Sequence, residues 1–286
     1  MPFTAQALLD LLDLEPIEEN IYRGQNRNIG TGRIFGGQVL AQALVAAART
    51  VGDDRPVHSM HGYFILAGDL DVPVVYFVDT LRDGGSFTTR RVTAIQHGKA
   101  IFNLSASFHR PEEGWDHQAP MPAVPDPESL PKELDLVRER AHELPDAIRP
   151  YLTQDRPLDI RLVGRHPFDD SPKEAVRHYW FKAEGTLGDA LLEHQAVLAY
   201  ASDYGLLGAA LDPHGVSYRD PRLMVASLDH SIWFHRPFRV DEWLLYATES
   251  PIAAGARGFC RGSFYTRDGV LVASTAQEGL MRVKSR

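Results

Sequence analysis

Asp203, Ser227 and Gln277 are the residues of this 286-residue chain whose types could do chemistry together. They offer a carboxylate that can take a proton, a hydroxyl, and an amide that both donates and accepts. Each is conspicuous because an earlier copy of the same sequence pattern carries an apolar or small residue at the matching place. Asp203 interrupts the apolar run LAYASDYGLL where the earlier helix offers LVAAA, Ser227 matches Val57, and Gln277 matches Ala106. A carboxylate inside an apolar run needs hydrogen-bond partners. Each residue also has a purely structural reading: a paired or edge-exposed acid, a turn hydroxyl, an exposed strand amide.

More familiar catalytic patterns are missing. There is no Gly-x-Ser-x-Gly elbow. Gly32, Gly36 and Gly37 precede a helix as a phosphate loop would, but Gln38 stands where the lysine belongs, so close helix packing is the favoured reading. His58 with His61 and His230 with His235 are pairs whose members strand alternation sends to opposite faces, and no metal site is expected from them. The one cysteine, Cys260, can complete neither an intrachain disulfide nor a thiolate cluster.

The elements that must hold the three residues follow from periodicity. Leucines at helical spacing behind Thr4 predict a short helix over 4–14, and the apolar stretch IFGGQVLAQALVAAAR predicts a core helix over 34–49. From 57 to 110, β-branched and apolar runs alternate with turn signals at Gly68-Asp69, Asp83-Gly84-Gly85 and His97-Gly98, the rhythm of an antiparallel sheet. Six prolines between 111 and 132 mark a linker, followed by a charged helical stretch over 133–148. A strand over 176–184, a second apolar helix within 187–211 and further strands complete the chain.

Sliding the chain by 170 residues lays Tyr63-Phe64 on Trp233-Phe234, Tyr76 on Tyr246 and Arg91 on Arg261, and one inserted residue then brings Gly98 onto Gly269. Helix then sheet, twice, predicts two similar domains whose sheets join or pack side by side. The expected division is a first domain over 1–110, a linker over 111–155 and a second domain over 156–286 that carries most of the polar set.

Bulk properties set limits. With 44% apolar and 24% charged residues the chain has material for packed cores, and a net charge of -8 argues against a nucleic-acid binder, which needs a basic face. No apolar run reaches the roughly 18 residues of a membrane helix. The N-terminus lacks a leader pattern, and the ending Val283-Lys284-Ser285-Arg286 is not a Ser-Lys-Leu address, so a cytoplasmic protein is expected.

Over almost its whole length the sequence resembles the acyl-CoA thioesterase II family. The resemblance is carried by RGQ at 23–25, FGGQVLAQAL, VHSMHGYFILAGD, YFVDTLRDGGSF, RRVTAIQHGKAIF, YASDYGLL, LDHSIWFHRPF, EWLLY, ARGFCRGSFYTRDGVLVAS and AQEG. It implies an α+β fold of two tandem hotdog domains, each an antiparallel sheet wrapped around a central helix. It also implies hydrolysis of fatty acyl-CoA to fatty acid and coenzyme A without a cofactor, and a homo-oligomer.

The family's aspartate, serine or threonine, and glutamine fall on Asp203, Ser227 and Gln277; some relatives have threonine where Ser227 stands. Those roles suit water attack on a thioester, with Asp203 accepting the water's proton, Ser227 and Gln277 holding the water, and a backbone N–H at a helix N-terminus meeting the oxyanion. No histidine is placed by the sequence to activate Ser227 as in a triad. His58, aligned with the apolar Leu228, is set aside. Arg82, Arg90, Arg91, Arg257 and Arg261 are possible coenzyme A partners without assignment. The competing readings are a hotdog hydratase or dehydratase, which would need an Asp/His pair at the substrate, and a non-catalytic acyl-CoA binding protein.

Overall fold

The computed structural model describes residues 3–146, 148–220 and 222–284. Ser285 and Arg286 of the C-terminal ending lie outside the described residues.

Helix α1 (Ala5–Leu12) starts at Thr4, whose hydroxyl accepts the Ala7 amide, and buries Leu8 and Leu12. Strands β1 (Glu15–Glu18) and β2 (Ile21–Gly24) follow, then the core helix α2 (Gly36–Ala48). Next come β3 (Val57–Phe64), β4 (Val74–Asp83), β5 (Phe87–Gln96) and β6 (Lys99–His109). Beyond the proline-rich stretch lie α3 (Glu133–Glu139) and α4 (Arg149–Leu152), so the charged stretch over 133–148 folds as short broken turns rather than one helix; its residue 147 lies outside the described residues.

The second half supplies β7 (Leu158–Leu162), β8 (Val176–Ala183), the core helix α5 (Leu191–Ser202), and the short α6 (Gly208–Leu211). It ends with β9 (Leu223–Ser227), β10 (Asp229–Phe234), β11 (Leu244–Ala254), β12 (Arg257–Thr266) and β13 (Leu271–Val283).

All strand pairings are antiparallel, and the strands form one sheet in the order β1-β2-β4-β5-β6-β3-β10-β13-β12-β11-β8-β7, with β9 beside β13. Read from its centre outward, the order is the same on both sides: β3 matches β10, β6 matches β13, and so on to β1 and β7. The two sheets therefore join edge to edge, which removes an open edge from each. The centre of the seam is the pair His61 and Ser231, opposite each other in the register and 170 residues apart, with His61 Nδ1 3.1 Å from Ser231 Oγ. Other equivalents repeat the offset: Tyr76 and Tyr246 are both fully buried, and the Arg91–Asp79 ion pair has its counterpart in Arg261–Glu249.

The sheet curls around α2 and α5, which pack against each other. A Cβ on Gly37 would come within 2.3 Å of the Tyr200 carbonyl oxygen, so the glycine is what lets the helices approach. Close packing is thus the role of Gly36-Gly37, as the missing lysine suggested. Gly32 differs: its φ of +70° places it in the left-handed region and nothing lies within 4 Å of a Cβ there, so backbone freedom is what it supplies.

One sequence reading needs correction. The apolar run over 187–211 is not one helix: α5 stops at Ser202, Asp203 is its C-cap, and Gly205 turns the chain at φ +72° against the Tyr179 hydroxyl before α6 begins. Asp203 therefore corresponds to Arg49, the C-cap of α2, rather than to a position within LVAAA. The helices are offset by less than the strands because the connection from α5 to β10 is longer and holds α6 and β9.

Candidate active site

Asp203, Ser227 and Gln277 meet. The turn after α5 delivers Asp203, the last residue of β9 delivers Ser227, and β13 delivers Gln277, with Ser227 opposite Gly279 in the same ladder. Ser227 Oγ donates to Asp203 Oδ1 at 3.1 Å, and Gln277 Nε2 donates to Ser227 Oγ at 2.7 Å. All three line a cavity of about 700 Å3. Gln277 is 2% exposed, which overturns the reading of it as an exposed strand amide.

The first half closes the site. The N-terminus of α2 faces Asp203, and a Cβ on Gly36 would lie 2.7 Å from Asp203 Oδ2 and 3.0 Å from the Phe64 ring. The Gly37 amide donates to the Asp203 carboxylate, and the positive end of the helix favours its charge. Burial nevertheless dominates and raises the Asp203 pKa to about 6, against the lowering effect of Ser227, Gln277, Gly37 and the positive charge of Arg33. A carboxylate so poised can serve as a base near neutral pH. The remaining lining is largely apolar, with Ile34, Phe35, Val39, Ile101 and Leu228 among its walls.

His230 was not singled out for this site by sequence. It is fully buried on β10, and its Nδ1 hydrogen-bonds to Gln277 Oε1. The signal was present: the 170-residue offset puts Met60 at the matching position, so a histidine replaces an apolar residue there too. Among the described residues, no hydrogen bond joins a histidine to the Ser227 hydroxyl. His58 hydrogen-bonds Ser107 and packs against Phe87 and His109 instead.

None of the five arginines considered for coenzyme A lines this cavity. Arg90 is tied to Asp83 and Thr50, Arg91 to Asp79, Arg257 to Glu278 and Arg261 to Glu249. Arg33 and Arg219 line it instead, Arg33 donating to the Val225 carbonyl at 2.9 Å. Both come from irregular segments, where periodicity gives no clue to direction. No group of three metal-ligating side chains occurs among the described residues.

Comparison with known proteins agrees with this architecture. Residues 153–280 match the acyl-CoA thioesterase family model, and residues 24–109 match that of the acyl-CoA thioesterase N-terminal domain. The chain is 41% identical over 276 residues to acyl-CoA thioesterase 2 of Haemophilus influenzae, covering 96% of each protein. It superposes with a TM-score of 0.78 on the crystal structure of an acyl-CoA thioesterase II, TesB2, from Mycobacterium marinum, at 42% identity over 97% of this chain and 99% of that one. A conserved protein of unknown function with a hot dog fold from Alicyclobacillus acidocaldarius, 20% identical and covering 98% and 99%, shares the fold with a TM-score of 0.77. The two helix-and-sheet units are thus tandem hotdog domains, and the chain belongs to the acyl-CoA thioesterase II family.

Proposed function

We propose that the chain hydrolyses acyl-CoA thioesters to a free acid and coenzyme A at the site built by Asp203, Ser227 and Gln277. The observation that carries this reading is the unbroken hydrogen-bond chain from Gln277 through Ser227 to a carboxylate whose pKa is raised to about 6, on the wall of a largely apolar cavity.

Asp203 takes a proton from a water molecule as the water's oxygen attacks the thioester carbon. Ser227 and Gln277 keep the carboxylate and the water in line. The carbon–sulfur bond then breaks, and the proton leaves with the coenzyme A thiolate. The N-terminus of α2, whose first residue Gly36 lines the cavity, is the favourable place for the developing oxyanion. Direct water attack is preferred to a seryl intermediate because His230 bonds to Gln277 rather than to the Ser227 hydroxyl. A hydratase would need a histidine at the substrate, and His230 is absent from the cavity lining.

The division into 1–110, 111–155 and 156–286 is proposed on the mirrored strand order. A homo-oligomer is supported by exposed Tyr63, Phe77 and Leu81. A cytoplasmic setting is supported by the single, buried Cys260 thiol; no helix among the described residues is long and apolar enough to cross a membrane.

Saturated and 2-enoyl acyl-CoA substrates of several lengths distinguish the readings. A hydrolase releases free thiol from both kinds. Loss of the enoyl absorbance without thiol release would contradict the proposal.

A further inference from the structure

We infer that His230 is a positioning residue for the site, fixing which end of the Gln277 amide faces Ser227. The inference rests on the hydrolase reading above.

A glutamine amide has nearly the same shape in its two orientations, so only its neighbours choose between them. Ser227 has one hydroxyl proton and gives it to Asp203, so towards Gln277 it can only accept. Gln277 must therefore present its NH2 group there. The reversed amide would set its oxygen against the serine oxygen, and the chain that holds Asp203 would open.

The opposite end of the amide decides the matter. Gln277 Oε1 can only accept, so His230 Nδ1 must carry a proton and donate it. With that proton in place, an NH2 group turned towards His230 would meet a donor. Nε2 is then an acceptor, and Ser202 Oγ, 2.9 Å away, gives it its one proton in preference to the Ala199 carbonyl oxygen at the same distance. Burial holds the His230 pKa down to about 4, which leaves the ring neutral with a single N–H at neutral pH.

Ser202 is the last residue of α5 and directly precedes Asp203. The side chains thus form a loop from α5 through His230, Gln277 and Ser227 back to the C-cap of the same helix. In the first half the corresponding positions are occupied by Ala48, Met60, Ala106 and Val57, and Met60 lies opposite Ala106 in the ladder as His230 flanks Gln277. Histidine and glutamine are present together in one half and absent together from the other. A histidine kept only for packing has no reason to follow the glutamine.

His230→Leu is expected to lower kcat on the order of 10²-fold, as for a misplacement of about 1 Å at a reacting group, with KM nearly unchanged. His230→Asn keeps a nitrogen donor near the Nδ1 position and recovers much of the loss, whereas His230→Gln, whose amide reaches towards Ser202 instead, does not. In a Gln277→Ala background, His230→Leu changes kcat little, because no amide remains to be oriented.

Independent, multiplying losses in the double variant, or equal activity of the Asn and Gln variants, would overturn the role of His230. The Asn and Gln comparison decides the matter even where His230→Leu does not fold. Hydrolysis that survives Asp203→Asn would instead strike at the site assigned to Asp203, and absence of thiol release by the wild type at the hydrolase reading itself.

Discussion

A carboxylate buried against glycine and phenylalanine costs more to ionise than one in water, and Asp203 shows this in a pKa raised to about 6 although the helix end beside it favours the charge. If Asp203 is the base, kcat/KM rises with pH through about 6 and levels above it; a pH–rate profile flat from 5 to 8 would contradict this. The same shift affects stability. The folded state binds the Asp203 proton more tightly than the unfolded one, so its contribution is fully present below the ordinary carboxylate pKa and is lost as pH rises through about 6. Asp203→Asn removes that loss and raises stability relative to wild type above pH 6, by on the order of 3 kcal/mol for a shift of about two pKa units. The advantage vanishes near pH 4, and denaturant titrations at both pH values check it. Ser227 and Gln277 were legible in the sequence because each replaces an apolar or small residue of the other repeat, and Asp203 because it interrupts an apolar run, although its counterpart in the fold is Arg49. His230 obeys the same rule, with Met60 at the matching place, but in the sequence it stands out only as half of a histidine pair. Arg33 was not legible, since the direction of a side chain in an irregular segment depends on the backbone path rather than on any period.

The helices and strands place these groups through contacts of their own. Tyr204, next to Asp203, donates to Glu133 Oε2 at 2.9 Å, and Arg156 Nη1 bonds both Tyr204 Oη at 2.8 Å and Glu133 Oε2 at 2.7 Å. The Glu133 and Arg156 side chains are 12% and 16% exposed, so α3 is fastened to the turn that carries Asp203 by a largely buried ion pair. Glu133→Ala would leave Arg156 without its carboxylate and cost about 3 kcal/mol, measured by denaturant unfolding; a change below about 0.5 kcal/mol would show the pair to be unimportant. Gly36→Ala would drive a methyl group to 2.7 Å from Asp203 Oδ2, and kcat should fall by at least about tenfold even where stability changes by only about 1 kcal/mol. Unchanged kcat would mean that α2 does not bear on the site. Periodicity revealed α2 and most of the strands, because each long element buries a continuous face. It merged α5 with α6, because Ala201, Leu206 and Leu207 stay buried across the break and the apolar pattern continues although the helix does not.

Across the whole molecule, duplication explains why one chain has one such site. The strands keep their equivalence at a separation of 170 residues through the seam at His61 and Ser231, yet the polar set occurs only on the side where the longer α5-to-β10 connection brings Asp203 and Ser227 together. The N-terminus of α2, from the other half, completes it. A chain starting at residue 156 would lack Gly36 and Gly37 and expose the β10 edge that β3 covers, so it should release no thiol and should self-associate. A monomeric, active C-terminal half would refute the shared site. That the two sheets join into one was left open by the sequence, since strand patterning reports which face is buried and not which edge is paired. The most direct test of the whole account is thiol release from an acyl-CoA by the wild type and by Asp203→Asn, with acyl-CoA binding measured on both. Intact binding with hydrolysis reduced by about 10³-fold or more is the predicted result; hydrolysis within a few-fold of wild type would contradict it.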